Sequence, residues 1–345
     1  MWLSMLKTLK ASRPFAIAAV LLATCWPAHA QDLTGTAPAE IAERSVSTLL
    51  TDIVETGGQY VAVGWRGHIL RSTNARDWRQ ADVPVNVLLT AVDFVGDDLG
   101  WVVGHDGVIL HTDDAGNTWQ VQHYIEGGAS LLDVLFLDED RGIAVGTYGA
   151  MMQTVDGGRS WSVTENALTD EGFHLNDLIV LGDGSILVVG EFGTMAHSTD
   201  RGETWVSLES PYESSLFAAA PRGEKGAVIG GLRGNLFLAS DVNAGEWSQV
   251  NNPAQQSVFG ITRLGDQRYA IAALNGTLQV LDGDSLSQLK LDKEKAGIPP
   301  APPSGPPYVF ILTDDVDREL GAFVKVIALN DGYLSVGDSG VRYWR

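Results

Sequence analysis

The stretch Gly100-Trp101-Val102-Val103-Gly104-His105-Asp106-Gly107-Val108-Ile109-Leu110-His111-Thr112-Asp113-Asp114-Ala115-Gly116-Asn117-Thr118-Trp119 decides the fold. It reads as an apolar strand, a tight Gly-x-x-Gly turn, a second apolar strand and a hairpin closed by tryptophan. Upstream, Leu89–Val95 reads as an inner strand, and Trp119–Gln122 begins an outer one. Apolar runs bounded by Gly and Asp are the pattern of strands buried on both faces. The unit recurs, with turns at Gly64–Gly67, Gly104–Gly107, Gly146–Gly149, Gly190–Gly193, Gly231–Gly234, Ala273–Gly276 and Gly337–Gly340. Successive turns lie 40, 42, 44, 41, 42 and 64 residues apart. A repeat of about 40–45 residues with only strand signals marks a propeller, one blade per repeat. The expected fold is all-β: a seven-bladed β-propeller of four-stranded antiparallel blades.

Thr112 to Trp119 is an Asp box, and its residue types have mechanical reasons. Asp114 can accept hydrogen bonds from nearby backbone N–H groups, Gly116 permits positive φ, and Trp119 can pack between blades. Thr154 to Trp161, with Asp156, and Ser198 to Trp205, with Asp200, repeat it well. Ser72 to Trp78 and Ser240 to Trp247 are degraded copies, and the last two repeats lack it. Asp114, Asp156 and Asp200 are therefore expected to be structural rather than catalytic.

The last repeat stops at Val341–Arg345, the end of its third strand. Closing the ring hides strand edges, so residues between about Asp32 and Ser47 are expected to supply the missing outer strand. The long sixth spacing contains a Pro-rich insertion at about 293–307, with six of the chain's 13 prolines. Such a stretch favours polyproline II and stays out of sheet interiors. It reads either as a solvated linker or as a stiff docking arm. Tyr308–Leu312 after it looks like an additional or displaced strand.

Residues 1–30 read as a signal peptide: basic Lys7, Lys10 and Arg13, an apolar Phe15–Cys25 core, and an Ala28-His29-Ala30 cleavage site. The propeller would then occupy 31–345, periplasmic or otherwise exported, with no direct membrane insertion after cleavage. A lipobox at Cys25 is the alternative. Cys25 is the only cysteine, so the mature protein would have no disulfide and no thiolate chemistry. Without the leader's three basic residues, 20 basic against 43 acidic residues give −23. That balance argues against nucleic acid and anionic lipid, and favours cationic partners, metal ions or plain solubility.

No motif for nucleophilic or zinc-dependent hydrolysis is present, the histidines show no ligand spacing, and no cofactor is expected. Glycoside hydrolysis needs two facing carboxylates, a condition that 43 acidic residues can meet by chance. Asp52, Asp133 and Asp177 lie twelve or thirteen residues before their turn glycines Gly64, Gly146 and Gly190. That register puts them on three innermost strands near the central channel. They could bind a cation or basic peptide, or be solvated groups bonded to neighbouring strand backbones. The turn residues Trp65, Arg66, His105, Asp106, Tyr148, Phe192 and Arg233 should line one face. Aromatics interleaved with charge suit a protein interface, and packing between adjacent turns is the alternative.

Val63–Leu70 with Ser72–Trp78, Gly231–Leu236 and the three good boxes resemble the repeats of the photosystem II stability/assembly factor family. The resemblance covers roughly 46–345 and implies a seven-bladed, exported, non-enzymatic propeller. It implies an assembly or accessory factor whose partner is a membrane protein or membrane complex. In non-photosynthetic bacteria the resemblance points to resistance-nodulation-division-type transporters. A monomer is expected. The family carries arginines in its x-Arg-Gly turns, and only Arg66 and Arg233 match here, which argues against a photosystem client. The alternatives are a sialidase-like glycoside hydrolase or lectin, and a calcium-stabilised structural propeller.

Overall fold

The computed structural model describes residues 36–344 apart from Pro253, Asp284, 289–320 and Asp331. The leader expected at 1–30, the Pro-rich insertion at 293–307 and Tyr308–Leu312 lie outside the described residues. Seven antiparallel sheets follow one another along the chain, each ordered from its first strand to its last. Blades one to seven span 50–80, 89–123, 131–163, 175–207, 216–249, 258–288 and 323–344. The expected seven-bladed β-propeller is the observed fold. Blades one to six have four strands, and blade seven has three among the described residues.

The second strand of each blade is the most apolar because a neighbouring blade covers each of its faces. Ile186–Gly190 and Gly226–Gly231 are buried at every position. Each interface between blades has its own apolar cluster: Val61, Val63 and Ile69 of blade one pack on Val92, Val102 and Leu110 of blade two. Leu50, Ile53 and Leu70 meet Ile327, Leu334 and Val336, which joins blade seven to blade one and closes the ring. The hairpin tryptophans join these clusters. Trp119 is buried in the interface of blades one and two, edge-on to Phe94 with centroids 6.2 Å apart. Trp344, on the third strand of blade seven rather than in a box hairpin, packs in the interface of blades six and seven.

Both turn glycines have a steric reason. A Cβ on Gly64 would lie 2.3 Å from the Leu49 carbonyl oxygen, where the incoming chain crosses the turn. Gly67 has φ +74°, and a Cβ there would lie 2.0 Å from the Val85 oxygen. Its N–H donates to the Val87 carbonyl at 2.7 Å, fastening the turn to the loop that enters blade two.

The closing strand expected from 32–47 does not appear in the sheet ladders of the described residues. Ser45–Ser47 form a 3-10 turn instead. Ala39 N–H donates to the Val83 oxygen at 2.9 Å, and Val341 N–H donates to the Val46 oxygen at 2.9 Å. This segment therefore bridges blades seven and one by single hydrogen bonds at the turn end, and the apolar cluster beneath it closes the ring.

Candidate protein-binding face and central channel

The turns between second and third strands project from one end of the propeller. Their central residue is left-handed: φ is 54° at Arg66, 57° at Asp106, 57° at Tyr148, 50° at Phe192 and 58° at Arg233. A non-glycine residue there costs about 1–2 kcal/mol, and it throws the side chain outward. Trp65 is 45 % exposed, Tyr148 76 % and Phe192 66 %. Arg66, His105 and Arg233 are exposed too, while Asp106 is half-buried.

The structure puts all seven predicted face residues on these turns, but it assembles them in local groups. The Arg66 guanidinium lies 6.0 Å from the Trp65 ring centroid. Tyr148 stands edge-on to His174 with centroids 5.2 Å apart, and Phe192 lies 5.0 Å from Phe173. The Asp106 carboxylate is committed to its own loop, accepting from Gly127 N–H at 3.1 Å. Arg66 and Arg233 sit on blades one and five. Phe173 and His174 escaped sequence reasoning because they lie in the loop entering blade four, outside the repeated turn.

At the opposite end, where third and fourth strands join, Asp114 accepts from Thr118 N–H and Oγ1 and from Thr112 Oγ1, each at 2.8 Å. Asp156 and Asp200 repeat the pattern with Ser160 and Thr204. Burial pushes the Asp114 and Asp156 carboxyls up, but their combined hydrogen bonds outweigh it and hold both below the usual range. The Thr204 hydroxyl and N–H bring Asp200 down to about 2.

The channel brings the predicted acids together and shows what each does. Asp52 Oδ2 accepts from Val92 N–H of blade two at 3.0 Å. Asp133 Oδ2 accepts from Leu178 N–H of blade four at 2.7 Å, and Asp177 Oδ2 from Ala219 N–H of blade five at 2.6 Å. Each carboxylate thus clasps the innermost strand of the next blade. Two members were missed. Asp93 joins blade two to blade three through Phe136 N–H at 2.7 Å. Lys325 of blade seven reaches Asp52 Oδ1 at 3.3 Å.

This channel, about 600 Å³, therefore holds its own cation. Burial pushes Asp93 up to about 6 against the donors Phe136 and Phe94. Burial also lifts Asp177 to about 6, with Lys325 pulling the other way. Burial and the neighbouring Asp177 charge drive Asp133 well above the carboxylate range. Asp52 foremost, then Asp177 and Asp133, raise the Lys325 ammonium. Among the described residues no group of three or more His, Cys, Asp or Glu is arranged to hold a metal ion, and no helix is long and apolar enough to cross a membrane.

The family model described as photosynthesis system II assembly factor YCF48 matches residues 70–130 and 122–280. The chain belongs to the YCF48 family. The chloroplastic photosystem II stability/assembly factor HCF136 of Guillardia theta is 42 % identical over 48 residues. That match spans 13 % of this chain and only 12 % of the relative's length. Among solved structures, YCF48 bound to D1 peptide is 16 % identical with a TM-score of 0.65, covering 91 % of this chain and 98 % of that one. YCF48 from Cyanidioschyzon merolae is 15 % identical with a TM-score of 0.65, covering 90 % and 99 %. At such identities the two structures show the shared fold. Within this YCF48-family propeller, the turn face leaves Trp65, Tyr148 and Phe192 exposed.

Proposed function

We infer that this protein is a non-enzymatic, exported propeller that binds another protein through its turn face, as an assembly or accessory factor for a membrane complex. The observation that carries this reading is the row of left-handed, outward side chains at Arg66, Tyr148, Phe192 and Arg233, on a chain of the YCF48 family. The same left-handed backbone recurs at Ala75, Ala115 and Arg201 in the opposite hairpins. It is therefore the large exposed aromatic and arginine side chains, the usual anchors of an interface, that single out the turn face. YCF48 itself is described bound to D1 peptide, which supports a polypeptide as ligand class. For this chain the client is a membrane protein other than a photosystem subunit. A resistance-nodulation-division-type transporter is the class to which the sequence resemblance points.

The channel supports the non-enzymatic reading. A glycosidase needs carboxyl groups free to donate a proton or to attack. Here Asp52, Asp93, Asp133 and Asp177 each accept a backbone N–H from the next blade. The test is photocrosslinking in native membranes, with a benzophenone side chain placed singly at Trp65, Phe192 or Val155. Val155 is 66 % exposed at the opposite end, so it is the control. Adducts with one integral membrane protein from Trp65 and Phe192 but not Val155 are expected. Equal adducts from Val155, or none from the turn positions, overturn the assignment.

A further inference from the structure

Between the turn ends of blades two and three lies a cleft of about 390 Å³, bounded by Gly107 of one turn and Tyr148 of the next. Its floor is apolar: Leu131 and Met151 are 1 % exposed and Met152 8 %. Its rim is apolar as well and faces water, with Ile125 55 %, Tyr148 76 % and Val163 70 % exposed. Large side chains left outside a core around a concave apolar floor mark a binding surface. The volume lies within the roughly 300–1,000 Å³ of small-ligand sites, and methionine adapts its shape to what enters.

Charge selects the occupant. Glu165 and Asp170 border the cleft, and no lysine or arginine lines it. Both carboxylates are exposed and stand where the chain leaves Val163 on the outermost strand of blade three. A second copy of this chain, with formal charge −20, would bring further carboxylates against them. An anionic lipid surface would be repelled in the same way.

We propose that this cleft is an anchor site for a client polypeptide segment that carries one bulky apolar side chain beside a lysine or arginine. The apolar side chain fills the space over Met151 and Met152, and the cation sits between Glu165 and Asp170. The inference rests on the turn face being the protein-binding face, and it assigns blades two and three as the part that reads sequence. Arg66 and Arg233, on blades one and five, lie outside the cleft lining.

The test uses phage displaying random nonapeptides, selected on the immobilised full protein, with the enriched peptide then synthesised for titration. The expected consensus pairs an aromatic or large aliphatic residue with Lys or Arg one or two positions away. Val163→Asp should weaken the synthetic peptide roughly tenfold or more, as loss of a contact of at least about 1.4 kcal/mol would. Glu165→Lys combined with Asp170→Lys should turn the selected flanking residue from basic to acidic. All three positions are exposed, so these variants keep the core, and circular dichroism confirms the fold. A consensus lacking either feature, affinity unchanged within about twofold in both variants, or no enrichment overturns the proposal. A peptide lost on Arg66→Glu with Arg233→Glu but unaffected by the cleft variants overturns the cleft alone and leaves the turn face standing.

Discussion

Lys325→Met should uncouple the channel from the ring. The variant removes the cation 3.3 Å from Asp52 Oδ1, whose side chain is only 10 % exposed, while Lys325 itself is 38 % exposed. At an effective dielectric of about 20, that separation corresponds to about 5 kcal/mol of attraction. With Lys325 38 % exposed, solvent screening reduces that figure, and removing one partner of a fully buried pair costs about 3–5 kcal/mol. The expected loss is therefore about 2–3 kcal/mol at pH 7.5. Lys325 also holds down the carboxyls of Asp93, Asp133 and Asp177. At pH 5, below the value of about 6 for Asp93 and Asp177, fewer negative charges are stranded and the loss should be smaller. Urea unfolding of both proteins at the two pH values measures this. A loss below about 0.5 kcal/mol, or the same loss at both pH values, would refute the account of Lys325 as the channel's counter-ion.

Wild-type stability should fall between pH 5 and 7.5. Asp93 and Asp177 titrate at about 6 in the folded protein against about 3.9 unfolded. Their contribution is full below the unfolded value and is lost as pH rises through 6; a urea midpoint that rises with pH over this window would contradict it. Below about pH 3.8 the opposite sign appears, because Asp200 at about 2 loses its stabilising ionisation only as pH falls further. Gly67→Ala should cost more than about 3 kcal/mol, because its Cβ would lie 2.0 Å from the Val85 oxygen on top of the left-handed strain. Gly58→Ala has nearly the same φ, +73°, with nothing within 4 Å, and should cost about 1 kcal/mol. Equal thermal shifts for the two would show that the close approach does not matter. Asp156→Ala removes the acceptor for Thr154, Ser160 N–H and Ser160 Oγ. It should cost about 2 kcal/mol and leave partner binding intact, as unfolding and capture assays run side by side will show.

The blades were legible because their cause is local and repeated. A Gly-x-x-Gly turn needs its first residue small where the Leu49 oxygen passes and its second glycine at positive φ. The second glycine therefore recurs in all seven copies and the first in all but the sixth, which has Ala273. The channel was legible only in part. Lys325 lies twelve residues before Gly337, the register of Asp52 before Gly64, but a lysine in that slot does not share the acidic character that marks the other three. Asp93 lies eleven before Gly104, two residues further along the same strand face than the slot that pairs Ala91 with Val103. Ring closure was legible only in part: the end of the third strand at Trp344 implied a partner strand, and none appears in the ladders of the described residues. The packing of Leu50 and Ile53 on Ile327 and Leu334 joins sequence-distant residues that no periodicity links. The cleft between blades two and three was missed for the same reason: Ile125, Tyr148 and Val163 belong to a loop, a turn and an outer strand.

The central claim is that the turn face, and not the opposite end, holds the client. Quantitative affinity capture from gently solubilised membranes tests it, comparing wild type, Arg66→Glu with Phe192→Ser and Arg233→Glu, and Val155→Ser as control. The account predicts one integral membrane protein recovered by wild type and Val155→Ser, and reduced at least tenfold, roughly 1.4 kcal/mol, by the turn-face variant. Undiminished recovery by a folded turn-face variant would contradict it.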